Sequence, residues 1–475
     1  MVDTRNVVVQ SQVRTTAAAA EDISTLLVID TNHSSFSRVQ TFTNDDYVAG
    51  TQNGTKLRAA LGSAFKPEIK PAIVLAGRSK GTAVITPQSI ADGVVYEFDL
   101  TTKQGDSVSV SYTTSPGDLA DDVCTGIKSD IDAVTAVTDH VTATIVGVGA
   151  DATLEISLVS TSDDYIIEAN SENLGISYRT TEAPADLLQA IRDFNDDFTY
   201  VVHTDHTVSF QNSLDSACQI AEKFYFTSTQ EAAPYTAEFD IQNAPASDDI
   251  GGLLVFKGST HGHVMFYHTA DTTFPEAARV TTFTQLEPGT SSYQVKNIGF
   301  GIAQNPEEGR GLSVAELIRL KSRNMSTVIN VGGRPVIGAY EGNGARMADG
   351  TQIWVRVWSK YAQQSVQRAI TTVLLNKNAL GLTNPSDLNL IRSAGESWLQ
   401  TQVTSPAGKK AIRTRESMPN NESNYRIVFP DPKNASFEDQ ADGILRASEA
   451  VVYLDASIDQ ILIVPLTITY ANGEV

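Results

Sequence analysis

The chain has 475 residues, of which 41% are hydrophobic and 19% carry a charge. This composition is typical of folded, water-soluble proteins and excludes a largely disordered chain. The length exceeds what one hydrophobic core usually serves, so the sequence predicts about two to four domains. No apolar run approaches the roughly 20 residues that a membrane-spanning helix needs. The two cysteines, Cys124 and Cys218, are too few for a disulfide framework and are expected to be buried apolar side chains.

The formal net charge of −21 is unevenly distributed along the chain. Residues 1–300 contain 17 Lys and Arg against 39 Asp and Glu, a net charge of −22, whereas residues 301–475 contain 18 against 17. Nucleic-acid binding depends largely on Lys and Arg at the phosphates, so this chain is not expected to bind nucleic acid. The asymmetry favours an acidic, solvated exterior and a neutral C-terminal part that meets other protein surfaces.

Residues 1–20 are predicted to form an arm rather than part of a domain. They lack the basic-then-apolar layout of a signal peptide, which predicts folding in the cytoplasm. The strand-like segment 6–13 contains Val7, Val8 and Val9, but threonines and alanines separate it from the first domain. A lone strand cannot satisfy its own backbone groups, so this segment is expected to pair with a strand elsewhere or to be disordered.

Residues 21–83 and 181–345 show the alternation of strands and helices that predicts a mostly parallel sheet. Continuous apolar runs of buried-strand type alternate with helical patterns, and Ser313 with Glu316 forms a capping box at the start of one helix. The predicted strands are 23–30, 71–76, 199–203, 224–227, 252–256 and 263–267. The predicted helices are 55–65, 183–194, 214–223 and 312–324.

Residues 84–180 have a different pattern. Apolar residues alternate with polar ones around residues 94–100, 108–112 and 154–158, which predicts antiparallel strands with one wet face. A helix is expected between them at 119–134, with Asp118 in position to cap it. The block contains 3 Lys and Arg against 16 Asp and Glu, so it is predicted to be an acidic, β-rich domain inserted into the α/β core.

Residues 346–475 are predicted to form an α+β domain that ends in an unusual strand. Helices are expected at 360–376 and 386–403, and strands at 425–429 and 450–454. The run at 460–470 includes Ile461, Leu462, Ile463 and Val464 and is interrupted by Pro465. Proline lacks the backbone donor that a central strand needs, so this run is predicted to lie at an edge or between chains.

Histidine clusters offer an alternative from a different class of protein, a metal-dependent hydrolase. His261, His263 and His268 occur close together, but a strand would place His268 on the opposite face from the other two, so they do not converge on a metal. His203 and His206 flank Asp205 without a nucleophile at a recognisable turn.

Other catalytic patterns are also missing. The glycine pairs lack the flanking residues of a phosphate-binding loop, and no carboxylate lies in an apolar context that marks a general acid. The sequence therefore predicts no catalytic, cofactor-binding or metal site.

Four stretches, covering much of residues 181–475, together resemble the sheath proteins of contractile tails, such as those of myovirus-like phages, with pyocin and type VI secretion sheaths as distant relatives. In order, they are ADLLQAIRDFNDDFTYVV at 185–202; HVMFYHTADTTFPEAARV with QLEPGTSSYQVKNIGFGIA within 263–303; the segment 312–355 from LSVAELIRL to IWV; and the closing order of helix, strand and terminal strand through Tyr470. Residues 84–180 are similar to the β-rich insertion that many sheaths carry on the outer surface.

The resemblance implies a structural protein without a cofactor, in an α/β and α+β multidomain fold. It implies a helical homo-oligomer of hexameric rings around a tail tube, with baseplate and terminator proteins as further partners, in a virion tail assembled in the host cytoplasm. It also implies that the terminal strands, around Val7–Val9 and Ile461–Val464, are exchanged between subunits. The alternative within the same structures is a baseplate or tube component.

The basic segment at residues 409–415 is a candidate contact with another protein. Lys409, Lys410, Arg413 and Arg415 place four positive charges within seven residues of an acidic chain. They are expected to face the inner tube or an acidic surface of the next subunit. The open alternative is a solvated loop in which these charges pair with Glu416 or Glu422.

Overall fold

The computed structural model describes most of the chain. The described residues are 25–31, 38–43, 55–68, 70–160, 163–180, 182–231, 235, 258–284, 298–331, 333–338, 346–376, 385–403, 412, 423–429 and 449–452. Among these residues, no helix is both long and apolar enough to span a bilayer.

Helices and strands alternate in the first and later parts of the chain, whereas strands predominate between them. The strands, in chain order, are β1 (Leu26–Asp30), β2 (Val39–Phe42), β3 (Val74–Arg78), β4 (Gly81–Pro87), β5 (Val95–Thr102), β6 (Ser107–Thr113), β7 (Val141–Val146), β8 (Thr153–Leu158), β9 (Tyr165–Ala169), β10 (Leu174–Thr180), β11 (Tyr200–His203), β12 (Phe224–Thr229), β13 (Gly262–Phe266), β14 (Gln304–Asn305), β15 (Arg310–Gly311), β16 (Thr327–Val331), β17 (Arg334–Gly338), β18 (Tyr425–Val428) and β19 (Glu449–Val452). The helices are α1 (Thr55–Ala64), α2 (Ala120–Asp132), α3 (Thr135–Thr138), α4 (Pro184–Phe194), α5 (Val208–Ile220), α6 (Ala270–Thr273), α7 (Pro275–Thr284), α8 (Val314–Ser322), α9 (Ile353–Asn376) and α10 (Pro385–Thr401).

A six-stranded core sheet has the strand order β13-β12-β11-β1-β3-β2. All of its pairings are parallel except that of the edge strand β2, which runs antiparallel to β3. The mostly parallel sheet predicted from the sequence is therefore confirmed. A parallel sheet needs apolar cover on both faces, which explains why its strands are continuous apolar runs rather than alternating ones.

Strand β1 shows how the two faces are buried. Leu26 and Val28 belong to one apolar cluster and Leu27 and Ile29 to another, and all four side chains are fully buried. On the first face lie residues of α1, α7 and the start of α9, and on the second lie residues of α4 and α5. Residues beyond 346 thus share an apolar cluster with the core sheet.

The β-rich module, residues 81–180, has an apolar cluster of its own. Its two antiparallel sheets have the orders β10-β4-β8-β7 and β6-β5-β9, and α2 contributes Val123, Ile127 and Ile131 to the cluster between them. None of the described residues in this cluster belongs to either cluster of the core sheet. Strand β4 begins at Gly81, before the predicted start of the block at residue 84, because its pairing with β10 begins there.

Two details of the helices differ from the sequence prediction. The helix predicted at 214–223 is α5, which starts at Val208 because Phe210 and Gln211 already pack inward. The predicted cap at Asp118 is wrong. Its carboxylate instead accepts hydrogen bonds from the backbone N–H of Ser115 and the hydroxyl of Tyr112, and Leu119 occupies the cap position.

Helices α9 and α10 and the strands β18 and β19 form the C-terminal unit. Helix α9 packs along α10, and the antiparallel pair β18–β19 lies against α10. The closest approach is at Gly395 on α10, where an added Cβ would lie 2.8 Å from Cδ1 of Ile427 and 3.2 Å from Cγ1 of Val366. Glycine at this position therefore lets β18 and both helices meet.

We expect Gly395→Val to destabilise the C-terminal unit by about 1–3 kcal/mol, because the added atoms overpack this contact. The three tryptophans, Trp354, Trp358 and Trp398, all lie on α9 and α10, so tryptophan fluorescence during guanidinium unfolding follows this unit. Gly301→Val is the control, since nothing lies within 4 Å of an added Cβ there. Equal unfolding midpoints for the two variants would contradict the packing described here.

Candidate functional site

The residues predicted to act in assembly lie outside the described part of the chain. They are Val7, Val8 and Val9; Ile461, Leu462, Ile463 and Val464; and Lys409, Lys410, Arg413 and Arg415. Strand exchange and the basic contact therefore remain predictions. Ile412, within the basic segment, is described, and it is fully buried in the cluster that contains Trp358 and Leu399.

The last described strand before the segment at 461–464 is β19, which forms a pair with β18. Tyr425 pairs with Val452 at one end and Val428 with Glu449 at the other. Ile427 is buried against the helices, whereas Arg426 is exposed. Within the described residues, β19 pairs with β18 alone. A two-stranded sheet is marginally stable without further support, which α10 provides here on one face.

The carboxyl edge of the core sheet, where its parallel strands end, is the place at which α/β enzymes bind ligands. The favoured position lies between the two strands at which the strand order reverses direction, here β1 and β11. At this point the hydroxyl of Thr204 donates a 2.7 Å hydrogen bond to Oδ1 of Asp30, and both residues are buried. The two strands are thus joined by their own side chains at the reversal point.

His203 ends β11 beside this pair and is fully enclosed. Its ring stacks on Tyr225 at a centroid distance of 5.4 Å and lies edge-on to Phe210 and His206. Burial, with His206 and Lys56 nearby, lowers the pKa of His203 well below its ordinary value. Neither ring nitrogen has a hydrogen-bond partner within the described residues. His203 is therefore a neutral, packed ring rather than an exposed base.

His206 connects the loop after β11 to the helices α6 and α7. Its Nδ1 lies 3.2 Å from Oδ1 of Asp271, and its Nε2 lies 2.8 Å from Oε1 of Glu276, which is fully buried. Burial lowers the pKa of His206, but the two carboxylates outweigh this effect and raise it to about 9. Both nitrogens are occupied by carboxylates, so the ring has none left to activate a serine or cysteine.

The expectation that no carboxylate lies in an apolar context is wrong for Glu276. This residue follows Phe274 and Pro275 and precedes two alanines, and its side chain is enclosed by the core. No local pattern indicates this burial, because the partner, His206, is 70 residues away. The pair holds two elements together, since a buried carboxylate is costly unless it has a charged or hydrogen-bonding partner.

The three histidines between residues 261 and 268 are separated in space. The ring of His263 is buried on β13, where Nδ1 lies 2.6 Å from the carbonyl oxygen of Arg346 and Nε2 lies 2.8 Å from Oγ of Ser326. Burial beside Arg279 lowers its pKa to about 3. His261 stacks on Phe224, whereas Nδ1 of His268 accepts a hydrogen bond from the backbone of Gln304. In the part of the chain that the structure describes, no His, Cys, Asp or Glu group is arranged to hold a metal.

Sequence reasoning missed the ion pairs at the start of the β-rich module. Arg78, at the end of β3, forms two 3.0 Å hydrogen bonds to the carboxylate of Asp164, just before β9. Arg38 lies 2.6 Å from Oε1 of Glu182, in the connection that returns from the module to the core. The partners are 86 and 144 residues apart, a separation at which no local pattern could have paired them.

Comparisons with known proteins found matches among solved structures alone. No protein-family model and no curated protein matches the sequence. Among solved structures, the sheath tail protein of Desulfitobacterium hafniense matches with a TM-score of 0.40 and 9% identity, covering 87% of this chain and 91% of that one. The sheath tail protein of Listeria innocua matches with a TM-score of 0.40 and 10% identity, over 85% and 88%.

The present chain is similar to these tail-sheath proteins. The helical sheath of the anti-feeding prophage in its contracted state also matches, with a TM-score of 0.38 and 14% identity over 63% of this chain and 79% of that one. All three TM-scores lie below 0.5, so these matches describe a similarity and carry no functional conclusion.

We expect the carboxylate pairs of His206 to stabilise the fold in a pH-dependent way. Because the folded pKa is raised from 6.5 to about 9, this contribution is complete below pH 6.5 and is lost as the pH rises towards 9. His206→Gln should therefore lower the free energy of unfolding by roughly 3 kcal/mol at pH 6 and by much less above pH 9. The measurement is chemical denaturation of both proteins across this pH range.

His268→Gln is the control for this experiment, because His268 is partly exposed and its pKa is lowered rather than raised. The difference in the free energy of unfolding between this variant and the wild type should not shrink as the pH rises from 6.5 to 9. A His206→Gln difference that stayed constant over this range would refute the paired, charged state of His206.

Proposed function

We propose that the chain is the sheath subunit of a contractile tail. In this proposal it polymerises as a helical sheath of stacked rings around a tail tube and contracts to drive the tube through a host envelope. The observation that carries the proposal is the order of the four sheath-like stretches along residues 181–475, together with strand-forming segments at both ends of the chain. A virion tail, assembled in the host cytoplasm, is the corresponding location.

The proposed links between subunits are added strands. Val7–Val9 and Ile461–Val464 lie in segments with strand-forming residues, and an extended segment adds readily to an exposed sheet edge. In the described residues β19 pairs with β18 alone, which supports the C-terminal unit as an acceptor. A strand of about seven residues, at roughly 1 kcal/mol net per hydrogen bond, would hold each neighbour by several kcal/mol.

Each predicted domain is proposed to have its own role in the sheath. Residues 21–83 and 181–345 would form the core domain and residues 346–475 the assembly domain, and the apolar cluster that the C-terminal helices share with the core sheet would hold the two together. Residues 84–180 would face outwards. Their 16 acidic against 3 basic residues favour a solvated position over a packed one.

Partners other than the chain itself would be the tail tube inside the sheath and the baseplate and terminator proteins at its two ends. No cofactor or nucleotide enters this proposal, because contraction would draw on contacts that subunits gain as they repack. The side chains at the carboxyl edge support a structural role, since Asp30, Thr204 and His206 bind to other residues of the same chain.

Deleting residues 1–15 tests the proposed N-terminal link. The truncated chain should fold normally, because the apolar clusters that bury β1 are built from residues after 25, but it should fail to polymerise for lack of the exchanged strand. Sedimentation velocity and negative-stain microscopy measure assembly, and circular dichroism measures folding. Deleting residues 2–5 alone is the matched control, since it leaves the 6–13 segment intact. Normal polymers from the longer deletion would disprove the link.

Reversing Lys409, Lys410, Arg413 and Arg415 to Glu tests the proposed basic contact. Solvated charges contribute about 0–1 kcal/mol each, so thermal stability of the single chain should hardly change. Assembly around the tube should weaken, most strongly at low ionic strength, where like charges repel over longer distances.

Replacing the same four residues by Gln is the graded control and should weaken assembly less than the reversal. The difference between the two variants should shrink as salt is added. Assembly of the Glu variant on tubes at the wild-type level in low salt would rule out the basic contact and leave the sheath proposal standing.

A further inference from the structure

The β-rich module is joined to the core sheet by two short connections that lie next to each other. The outgoing connection runs from the end of β3 at Arg78 to the start of β4 at Gly81, and the returning one runs from the end of β10 at Thr180 to the start of α4 at Pro184. Strands β4 and β10 are paired over their whole length, with Gly81 opposite Thr180. Both connections therefore leave the module at the same corner.

Within the described residues, the apolar cluster of the module is separate from the two clusters of the core sheet. Units that lack a large hydrophobic interface are expected to move relative to each other. The described contacts at the connections are polar, and contacts of this kind can set the orientation of the module.

The outgoing connection is held by Arg78. Its guanidinium forms the two bonds to the carboxylate of Asp164 and lies 3.4 Å from the carbonyl oxygen of Tyr165, the first residue of β9. The side chain of Arg78 is only 3% exposed and that of Asp164 is 13% exposed. A planar, two-bond contact of this kind fixes direction as well as distance. It joins the last residue of a core strand to the second sheet of the module.

The returning connection is held by Glu182. One oxygen accepts a 2.6 Å bond from Arg38, at the start of the core edge strand β2, and the other accepts a 2.8 Å bond from the backbone N–H of Lys80. Glu182 thus joins the returning connection both to the core sheet and to the outgoing connection. Ser79, between Arg78 and Lys80, donates a further bond from its hydroxyl to the carbonyl oxygen of Thr31.

Inside the module, Tyr165 extends the set of hydrogen bonds that begins at Arg78. Its hydroxyl accepts a 2.8 Å hydrogen bond from the backbone N–H of Ala83 and lies 2.7 Å from the carbonyl oxygen of Ile156. Ala83 is on β4 and Ile156 on β8, so Tyr165 joins the two sheets of the module beside Arg78. From Arg38 to Ile156 the contacts form a continuous path through these hydrogen bonds and the backbone of residues 78–80.

We propose that Asp164 with Arg78, and Glu182 with Arg38, form a polar joint that fixes the orientation of the β-rich module on the core sheet, so that the two move as one body. Removing one partner of a buried pair leaves a charge without compensation, and the module can then avoid this cost by tilting away from the corner. The proposal concerns the single chain and does not depend on assembly into a sheath.

Distances between two spin labels test the joint directly. Thr144 on β7 and Ser216 on α5 are exposed, so Thr144→Cys with Ser216→Cys places one label on the module and one on the core. The native Cys124 and Cys218 are buried, which keeps labelling selective. Labelled full-length chain is diluted in excess unlabelled chain, so that only distances within one molecule are measured by pulsed electron spin resonance.

The wild-type background should give one narrow distance distribution, and Asp164→Asn with Glu182→Gln should roughly double its width, because the module then lacks a fixed orientation. The matched control is Glu155→Gln, the same substitution in a pair with Arg179 that lies wholly within the module. The control should leave the distribution narrow. Circular dichroism and tryptophan fluorescence establish that each variant is folded.

If the double variant does not fold, Asp164→Asn alone decides the question, since the Arg78 pair joins a core strand to the second sheet of the module. Broadening in this variant beyond the Glu155→Gln control would support the joint. A distribution as narrow as that of the wild type in the folded Asp164→Asn, Glu182→Gln protein, or in Asp164→Asn alone where the double variant fails to fold, would overturn it.

Discussion

Strand β1 buries both of its faces completely, and the rest of the fold is built around this requirement. Leu26 and Val28 need cover on one side and Leu27 and Ile29 on the other, at about 25 cal/mol for each Å² of apolar surface removed from water. Helices α4 and α5, which come before and after β11 along the chain, supply one face. The other face is completed by α9, which comes from the last third of the chain. The central sheet is therefore finished only when the C-terminal part packs on it.

This arrangement has a consequence for how force could pass through the molecule. The C-terminal unit shares an apolar cluster with the sheet, and the β-rich module is joined to it through buried ion pairs at one corner. An apolar interface and a polar joint differ in their response to conditions. The first depends on the area buried, whereas the second depends on keeping both charges of each pair in place. A subunit that must be displaced without coming apart needs both kinds of connection to hold.

The periodicity of the sequence predicted the strands of the parallel sheet, the antiparallel module and the capping box at Ser313 and Glu316, because each of these patterns lies within a few residues. It failed for Asp118, which has the chemistry of a cap but bonds to Ser115 and Tyr112. It also failed where the deciding partner is distant. Glu276 is buried because of His206, and Arg78 is fixed by Asp164, yet neither pairing has a local pattern. The proposed assembly segments depend on other chains, which no pattern within one chain can place.

Cryo-electron microscopy of the purified full-length chain at high concentration tests the central claim most directly. The sheath proposal predicts helical tubes or stacked rings in which the sheet containing β18 and β19 gains strands from the ends of neighbouring chains. Helical reconstruction would identify these strands from the density of Val7–Val9 and Ile461–Val464. Monodisperse single chains under these conditions, or polymers in which neither terminal segment crosses to another subunit, would contradict it.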